Sequence, residues 1–278
     1  MPGRVVVGVD ESDESLAAAD WAGDEAAFLG AELLLVNASL WQVHVLVAVV
    51  PARDEREGQA AGLLDAAEAR VKERHPGVPT TRRQIEDAPS KVLLSAASDA
   101  DLLVLGSRRL GAGEGFVLGS VAQEVVAAAA GPVVLVRRRQ AAGLADGGRV
   151  VVGVDVRHDT GELLGFAFDA AARREVSLHL VTTWHLPFPH LAEQSAVQNH
   201  EEALAAAVQP FRERFPQVRV SWDAEAGRAV DHLVSSASGA GLLVIGNRRR
   251  AGAGAHIGAV AHGVIHHAPC PVAVVPHG

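Results

Sequence analysis

The segment Arg4-Val-Val-Val-Gly-Val-Asp10 returns almost unchanged as Arg149-Val-Val-Val-Gly-Val-Asp155, and this recurrence decides the fold. A repeat of that kind has to be sought before any motif, because a missed repeat misassigns the whole architecture. Further matches follow in the same order. Leu33-Leu-Leu-Val-Asn-Ala-Ser-Leu-Trp41 has a weaker echo in His179-Leu-Val-Thr-Thr-Trp184. Ser95-Ala-Ala-Ser-Asp-Ala-Asp-Leu-Leu-Val-Leu-Gly106 corresponds to Ser235-Ser-Ala-Ser-Gly-Ala-Gly-Leu-Leu-Val-Ile-Gly246. Gly131-Pro-Val-Val-Leu-Val136 corresponds to Cys270-Pro-Val-Ala-Val-Val275. Two copies of one domain account for all of these, with domain 1 expected over 1–140, a linker over 141–148 and domain 2 over 149–278.

Within copy one, short runs rich in Val and Leu alternate with longer helical patterns. Strands are expected near 4–9, 32–38, 79–85, 102–106 and 132–136, each buried on both faces, with helices near 15–29, 55–75, 89–98 and 120–129. That alternation predicts an α/β fold: two tandem Rossmann-like domains, each a five-stranded parallel sheet with helices on both faces and right-handed crossovers. Ligands of such sheets bind outside the carboxyl ends of the strands, where strand order reverses, so the residues that follow each strand are the ones to read.

Composition narrows the function. The 278 residues are 49% hydrophobic and 21% charged, which suits packed cores and a soluble globular chain rather than a disordered one. Aromatic residues make up 4%, with no Tyr, so stacking platforms for single-stranded nucleic acid are not expected. The formal charge of −8 argues against nucleic acid or an anionic membrane as partner. Cys270 stands alone, which excludes an intrachain disulfide and fits a reducing compartment. No apolar run reaches the roughly 18 residues of a membrane span, and the first residues are charged, so a cytoplasmic location is expected.

Three loops of copy one point at a phosphorylated ligand. Val9-Asp10-Glu11-Ser12 follows the first strand; Asp10 can accept from ribose hydroxyls, while Ser12 sits where it would cap the next helix, and capping alone would also explain it. Gly106-Ser-Arg-Arg-Leu-Gly-Ala-Gly-Glu-Gly115 follows the fourth strand. Its glycines allow close approach of backbone amides to an anion, and Arg108 and Arg109 can add charged contacts; a glycine-rich surface loop with solvated arginines is the plainer account. Gly119-Ser120-Val121 opens the next helix, where unpaired amides attract phosphate. Ser120-Val-Ala-Gln123 also reads as a capping box, which would account for Ser120 with no ligand.

Taken together, these residues resemble the universal stress protein family, whose nucleotide-binding members carry Gly, two residues, Gly, nine residues, then Gly and Ser or Thr. Gly106, Gly119 and Ser120 fall at that separation, whereas Arg109 stands at the second Gly. The resemblance covers nearly the whole chain, as a tandem member. It implies an adenine nucleotide, with ATP the leading candidate, and no metal beyond a magnesium ion accompanying that nucleotide. It places Val9 and Asp10 at adenine and ribose, Ala38 at the adenine edge, and Gly106, Ser107, Arg108, Gly119, Ser120 and Val121 around the phosphates. Arg109 either blocks the phosphates or binds them.

Copy two departs further: Gly246-Asn-Arg-Arg-Arg250 continues to Gly258-Ala259 over a loop one residue shorter, and Ala259 lacks the hydroxyl of Ser120. Asp155 is kept, Thr183 stands for Ala38, and Gly246, Asn247, Arg248, Gly258 and Ala259 complete the corresponding set. Unequal sites follow, the first better preserved.

The resemblance also implies that the two domains pair through their last strands, with a homodimer and an unidentified protein partner as further options. A nucleotide-free interaction module is the alternative reading.

Other signals carry less. There is no P-loop and no Gly-x-Ser-x-Gly elbow, nor an evident Ser/His/Asp arrangement, so at most slow ATP hydrolysis is expected. His256-Ile-Gly-Ala259 resembles part of a synthetase signature but lies at the wrong strand. A zinc site can be drawn from His262, His266, His267 and Cys270, although histidines in a last helical turn and a small apolar Cys270 beside a buried strand are the better account, and no metal site is expected there. Val43 to Val50 is apolar for a connection and reads as packed locally or as a partner surface.

Overall fold

The computed structural model of the chain describes residues 3–38, 53–107, 118–137, 148–184, 193–248 and 255–278. Arg108, Arg109, the glycines at 111, 113 and 115, the apolar run 43–50, residues 141–147 of the linker, Arg249 and Arg250 lie outside these described residues.

Contacts divide the chain into two compact units. In the first, the chain runs β1 (Arg4–Gly8), α1 (Asp13–Leu29), β2 (Glu32–Ala38), α2 (Arg53–Arg74), β3 (Thr80–Ile85), α3 (Pro89–Ala97), β4 (Leu102–Gly106), α4 (Ser120–Ala128) and β5 (Val133–Val136). All its strand pairs are parallel, in the order β3-β2-β1-β4-β5. The second unit repeats this with β6 (Val150–Gly153), α5 (Gly161–Arg173), β7 (Leu178–Trp184), α6 (Glu193–Arg214), β8 (Val220–Ala226), α7 (Ala229–Ser236), β9 (Leu242–Arg248), α8 (Ala259–His267) and β10 (Val272–His277). Its parallel order is β8-β7-β6-β9-β10.

The central strands form because β-branched and leucine side chains can be buried on both faces at once. Val5, Val6 and Val7 have no exposed surface, and Leu33 to Val36, Leu103, Val104 and Val133 to Val136 are nearly as buried. Helices α1 and α2 pack on one face and α3 and α4 on the other; α5 with α6 and α7 with α8 do the same in the second unit.

The expectation that every strand is buried on both faces fails for β3 and β8. Thr80-Thr-Arg-Arg-Gln-Ile85 is exposed along nearly its whole length, and β8 alternates half-buried with exposed positions. Both are outermost strands of their units, where charged side chains discourage further strand addition. Arg82 is tied back to Glu68 at 3.0 Å and to Asp65, both on α2.

Helix α1 is capped at both ends. Ser12 accepts from the Ser15 amide at its start, and Gly30, with φ of 60°, closes it by donating to Ala26 and Ala27 carbonyls. Only glycine enters that left-handed region without steric cost. Asp20 and Asp24, one turn apart and almost buried, meet Arg70 and Arg74, also one turn apart on α2. His75 adds a 2.6 Å contact to Asp24, so the register of α2 against α1 is fixed by charge as well as by packing.

Candidate functional site

Strand order reverses between β1 and β4, and the carboxyl ends of these strands diverge there. A cavity of about 280 Å³ opens at this point. Gly8, Val9, Asp10 and Ser12 form one wall, Val36 and Ala38 a second, and Leu105, Gly106, Gly119, Ser120, Val121 and Ala122 a third, with Ser15, Pro89 and Leu93 closing it. Eight residues singled out in the sequence of copy one therefore converge: Val9, Asp10, Ser12, Ala38, Gly106, Gly119, Ser120 and Val121.

The wall after β1 is built by hydrogen bonds that start in the sequence Asp10-Glu11-Ser12. The Asp10 carboxylate accepts from the Ser12 amide at 2.9 Å and is also contacted by the Ser12 hydroxyl. Ser15, buried in the first turn of α1, accepts from the Asp10 amide at 3.1 Å and lies 2.8 Å from the Asp10 carbonyl. Asn37 donates to the Val9 carbonyl at 2.8 Å, and the Val9 amide donates to Val36 at 2.8 Å. The chain leaving β1 is thus held from three sides, and the Asp10 carboxylate is kept at the cavity edge.

The opposite wall depends on glycine at one point. A Cβ on Gly106 would stand 2.6 to 2.8 Å from backbone atoms of Glu14 and Ser15, so the end of β4 abuts the start of α1. At Gly119 the same addition meets nothing within 4 Å among the described residues, and the residue has φ of −60°. Gly119, not Ser120, is the cap residue of α4, and no side chain caps it. The capping-box reading of Ser120 therefore fails: Ser120 is the first helical residue and exposed, and the Gln123 amide bonds to the Gly119 carbonyl at 2.9 Å. Among the described residues no side chain caps the first turn of α4, and Gly119, Ser120 and Val121 of that turn line the cavity, an arrangement suited to an anion.

Ser107 is placed differently from the rest of its group. It is 3% exposed, is not part of the cavity wall, and its amide donates to the Val136 carbonyl at 2.8 Å.

In the second unit the corresponding cavity measures about 390 Å³. Asp155, Thr183, Gly246, Asn247, Arg248, Gly258 and Ala259 all line it. Asn247 bridges its loop, accepting from the Gly258 amide and donating to the His256 carbonyl, both at 3.3 Å. Sequence reading missed Arg157, which donates from Nε and Nη2 to the two oxygens of Asp155, each at 2.8 Å. This guanidinium holds the Asp155 carboxyl below the usual carboxylate range, while the carboxylate raises the pKa of Arg157. It also missed His158 and His277, which complete the wall.

The profile of the universal stress protein family matches residues 1–137 and again 148–276. The chain belongs to the universal stress protein family. A universal stress protein of Mycobacterium tuberculosis is 32% identical over 289 residues, covering 97% of this chain and 96% of that one. One from Mycolicibacterium smegmatis is 28% identical, with 98% and 96% covered. The crystal structure of a universal stress protein from Archaeoglobus fulgidus, at 18% identity, overlays the whole of both chains with a TM-score of 0.76, which supports the fold.

Two further clusters bear on chemistry. His179 of β7 lies beside Ser221 and Asp223 of β8, with Nδ1 2.9 Å from the Ser221 hydroxyl and Nε2 3.1 Å from the Asp223 carboxylate. A Ser/His/Asp set, not evident in the sequence, is thus assembled by strand register, but none of the three lines either cavity. His262 and His266 approach ring to ring at 4.3 Å, and among the described residues no group of three His, Cys, Asp or Glu is placed to hold a metal. Among the described residues no helix is long and apolar enough to cross a membrane.

Proposed function

We propose that this universal stress protein binds one adenine nucleotide, ATP or a relative of it, in the cavity of its first unit, and acts as a nucleotide-responsive regulator in stress adaptation. The observation that carries this is the convergence of Asp10, Ala38, Gly106, Gly119 and Ser120 on one cavity at the strand-order switch. In this reading the Asp10 carboxylate receives the ribose hydroxyls, the Ala38 backbone meets the adenine edge, and the first turn of α4 with Ser120 receives the phosphates. Arg108 and Arg109 follow β4 in sequence and supply cationic partners to the same phosphates, with magnesium entering only in company with the nucleotide.

The only charged residue in the described wall is Asp10, already engaged by Ser12. Hydrolysis is accordingly slow, and binding rather than turnover is the output: the nucleotide favours one arrangement of the glycine loop and so the surface offered to a protein partner. The protein acts in the cytoplasm. Equilibrium dialysis with labelled ATP and AMP tests the reading. One equivalent of AMP per chain, weakened by Ser120→Ala, is the expected result; no retention at millimolar nucleotide would leave the nucleotide-free interaction module as the account.

A further inference from the structure

The second cavity is not a weakened copy of the first, because a further arginine, Arg157, joins its wall. In this wall Asp155 is outnumbered by Arg157 and Arg248, giving one net positive charge before His158 and His277 are counted. The change arises at a matched position: Arg157 stands two residues after Asp155, where Ser12 stands two residues after Asp10.

That substitution removes the group that would recognise a nucleoside. Both oxygens of Asp155 accept from the Arg157 guanidinium at 2.8 Å, and one also accepts the Arg157 amide at 3.2 Å. A ribose diol would have to displace this fork. The Arg157 side chain nevertheless remains 74% exposed, so its remaining N–H groups are open to a ligand while Asp155 orients it. Arg248, at the end of β9, reaches across to His158 with Nη1 2.5 Å from Nε2. The His277 imidazole packs on Gly246, where an added Cβ would lie 2.5 Å from Nε2. Helix α8 begins at this wall, with Gly258 as its cap residue and no side-chain cap.

We propose that the second cavity is an oligophosphate site: it takes a compact, multiply charged phosphate anion through Arg157 and Arg248, and does not recognise a nucleoside. Inorganic pyrophosphate and the diphosphate end of a larger molecule share this chemistry. The proposal does not depend on the first cavity binding nucleotide.

The experiment is calorimetric titration of the full chain with pyrophosphate and, separately, with adenosine and with ATP. Pyrophosphate is expected to bind at one equivalent. Arg157→Gln and Arg248→Gln should each weaken it by about tenfold or more, as expected for loss of a charge-assisted contact, with urea midpoints lowered only slightly, since an ion pair as exposed as Arg157–Asp155 adds little to stability. Gly119→Val, in the other unit, should leave pyrophosphate binding unchanged. Adenosine should not compete. Absence of pyrophosphate heat at millimolar concentration, binding indifferent to both arginine variants, or binding abolished by Gly119→Val would each overturn the proposal. ATP binding that is lost in Gly119→Val but intact in the arginine variants reports on the first cavity alone.

Discussion

Replacing Gly106 by Ala adds a methyl group at the point where β4 meets α1. The new Cβ would stand 2.6 Å from the Glu14 carbonyl carbon, 2.7 Å from the Ser15 nitrogen and 2.8 Å from the Glu14 oxygen. These are backbone atoms in the first turn of a helix, so no rotamer change relieves the clash, and α1 or β4 has to move. Overpacking of this kind costs about 1–3 kcal/mol. For a protein of this size, that lowers the melting temperature of the first unit by about 3–9 °C. The shift also displaces Ser12 and Ser15, which hold Asp10, so nucleotide affinity should fall with stability. Two controls isolate the cause. Among the described residues Gly119→Ala meets nothing within 4 Å, at an ordinary φ of −60°, and should melt close to wild type. Gly246→Ala, the matched residue of the second unit, meets only the His277 ring, which can turn away. Its penalty should be the smaller of the two. Differential scanning calorimetry of the three variants decides the matter: a Gly106→Ala protein melting with wild type would refute the close approach of β4 to α1.

Other perturbations follow from named contacts. Gly30→Ala forces a Cβ into the left-handed region at φ of 60° and should destabilise by about 1 kcal/mol in urea unfolding. Arg70→Ala leaves the nearly buried Asp20 without its bidentate partner and should cost about 1–2 kcal/mol, discounted because Arg70 itself is half exposed. Asn37→Ala removes the buried donor to the Val9 carbonyl and should cost a similar amount while loosening the wall that carries Asp10. Asp155 has a carboxyl pKa lowered by Arg157, so this pair stabilises the fold above the unfolded carboxylate pKa and the contribution is lost as pH falls through the folded value. In Arg157→Gln the Asp155 carboxyl should titrate at higher pH, as read by carbon NMR; an unmoved titration would show that the fork is not formed in solution.

The buried strands were legible because β-branched runs long enough for one strand and flanked by glycine or charge allow few other readings. The observed β1, β2, β4 and β5 lie within a residue or two of the expected segments. The edges were misread for a physical reason: Thr80 to Ile85 carries little apolar character because an outer strand gains more from charge than from burial. In the site, Gly106, Gly119 and Ser120 could be found because the resemblance fixes their separation. Ser15 and Asn37 could not, since their roles exist only once α1 and β2 meet the end of β1. Asn37, polar inside Leu33-Leu-Leu-Val-Asn37, was the available signal. His179 and its partners are more than forty residues apart, and only the β7–β8 register, His179 opposite Ser221, joins them. Arg157 sits in a turn, and its bond to Asp155 carries no sequence signature.

The central claim is that the first cavity holds an adenine nucleotide with its phosphates at the start of α4. Calorimetric titration of ATP and AMP into wild type and Gly119→Val tests it most directly, because among the described residues nothing stands within 4 Å of a Cβ on Gly119, so the valine should occupy the ligand's place with an unchanged fold. The account expects one adenine nucleotide bound per wild-type chain in this cavity, and that binding lost in Gly119→Val at an unchanged urea midpoint. No heat from either nucleotide at millimolar concentration, or AMP binding that survives Gly119→Val unaltered, would contradict it.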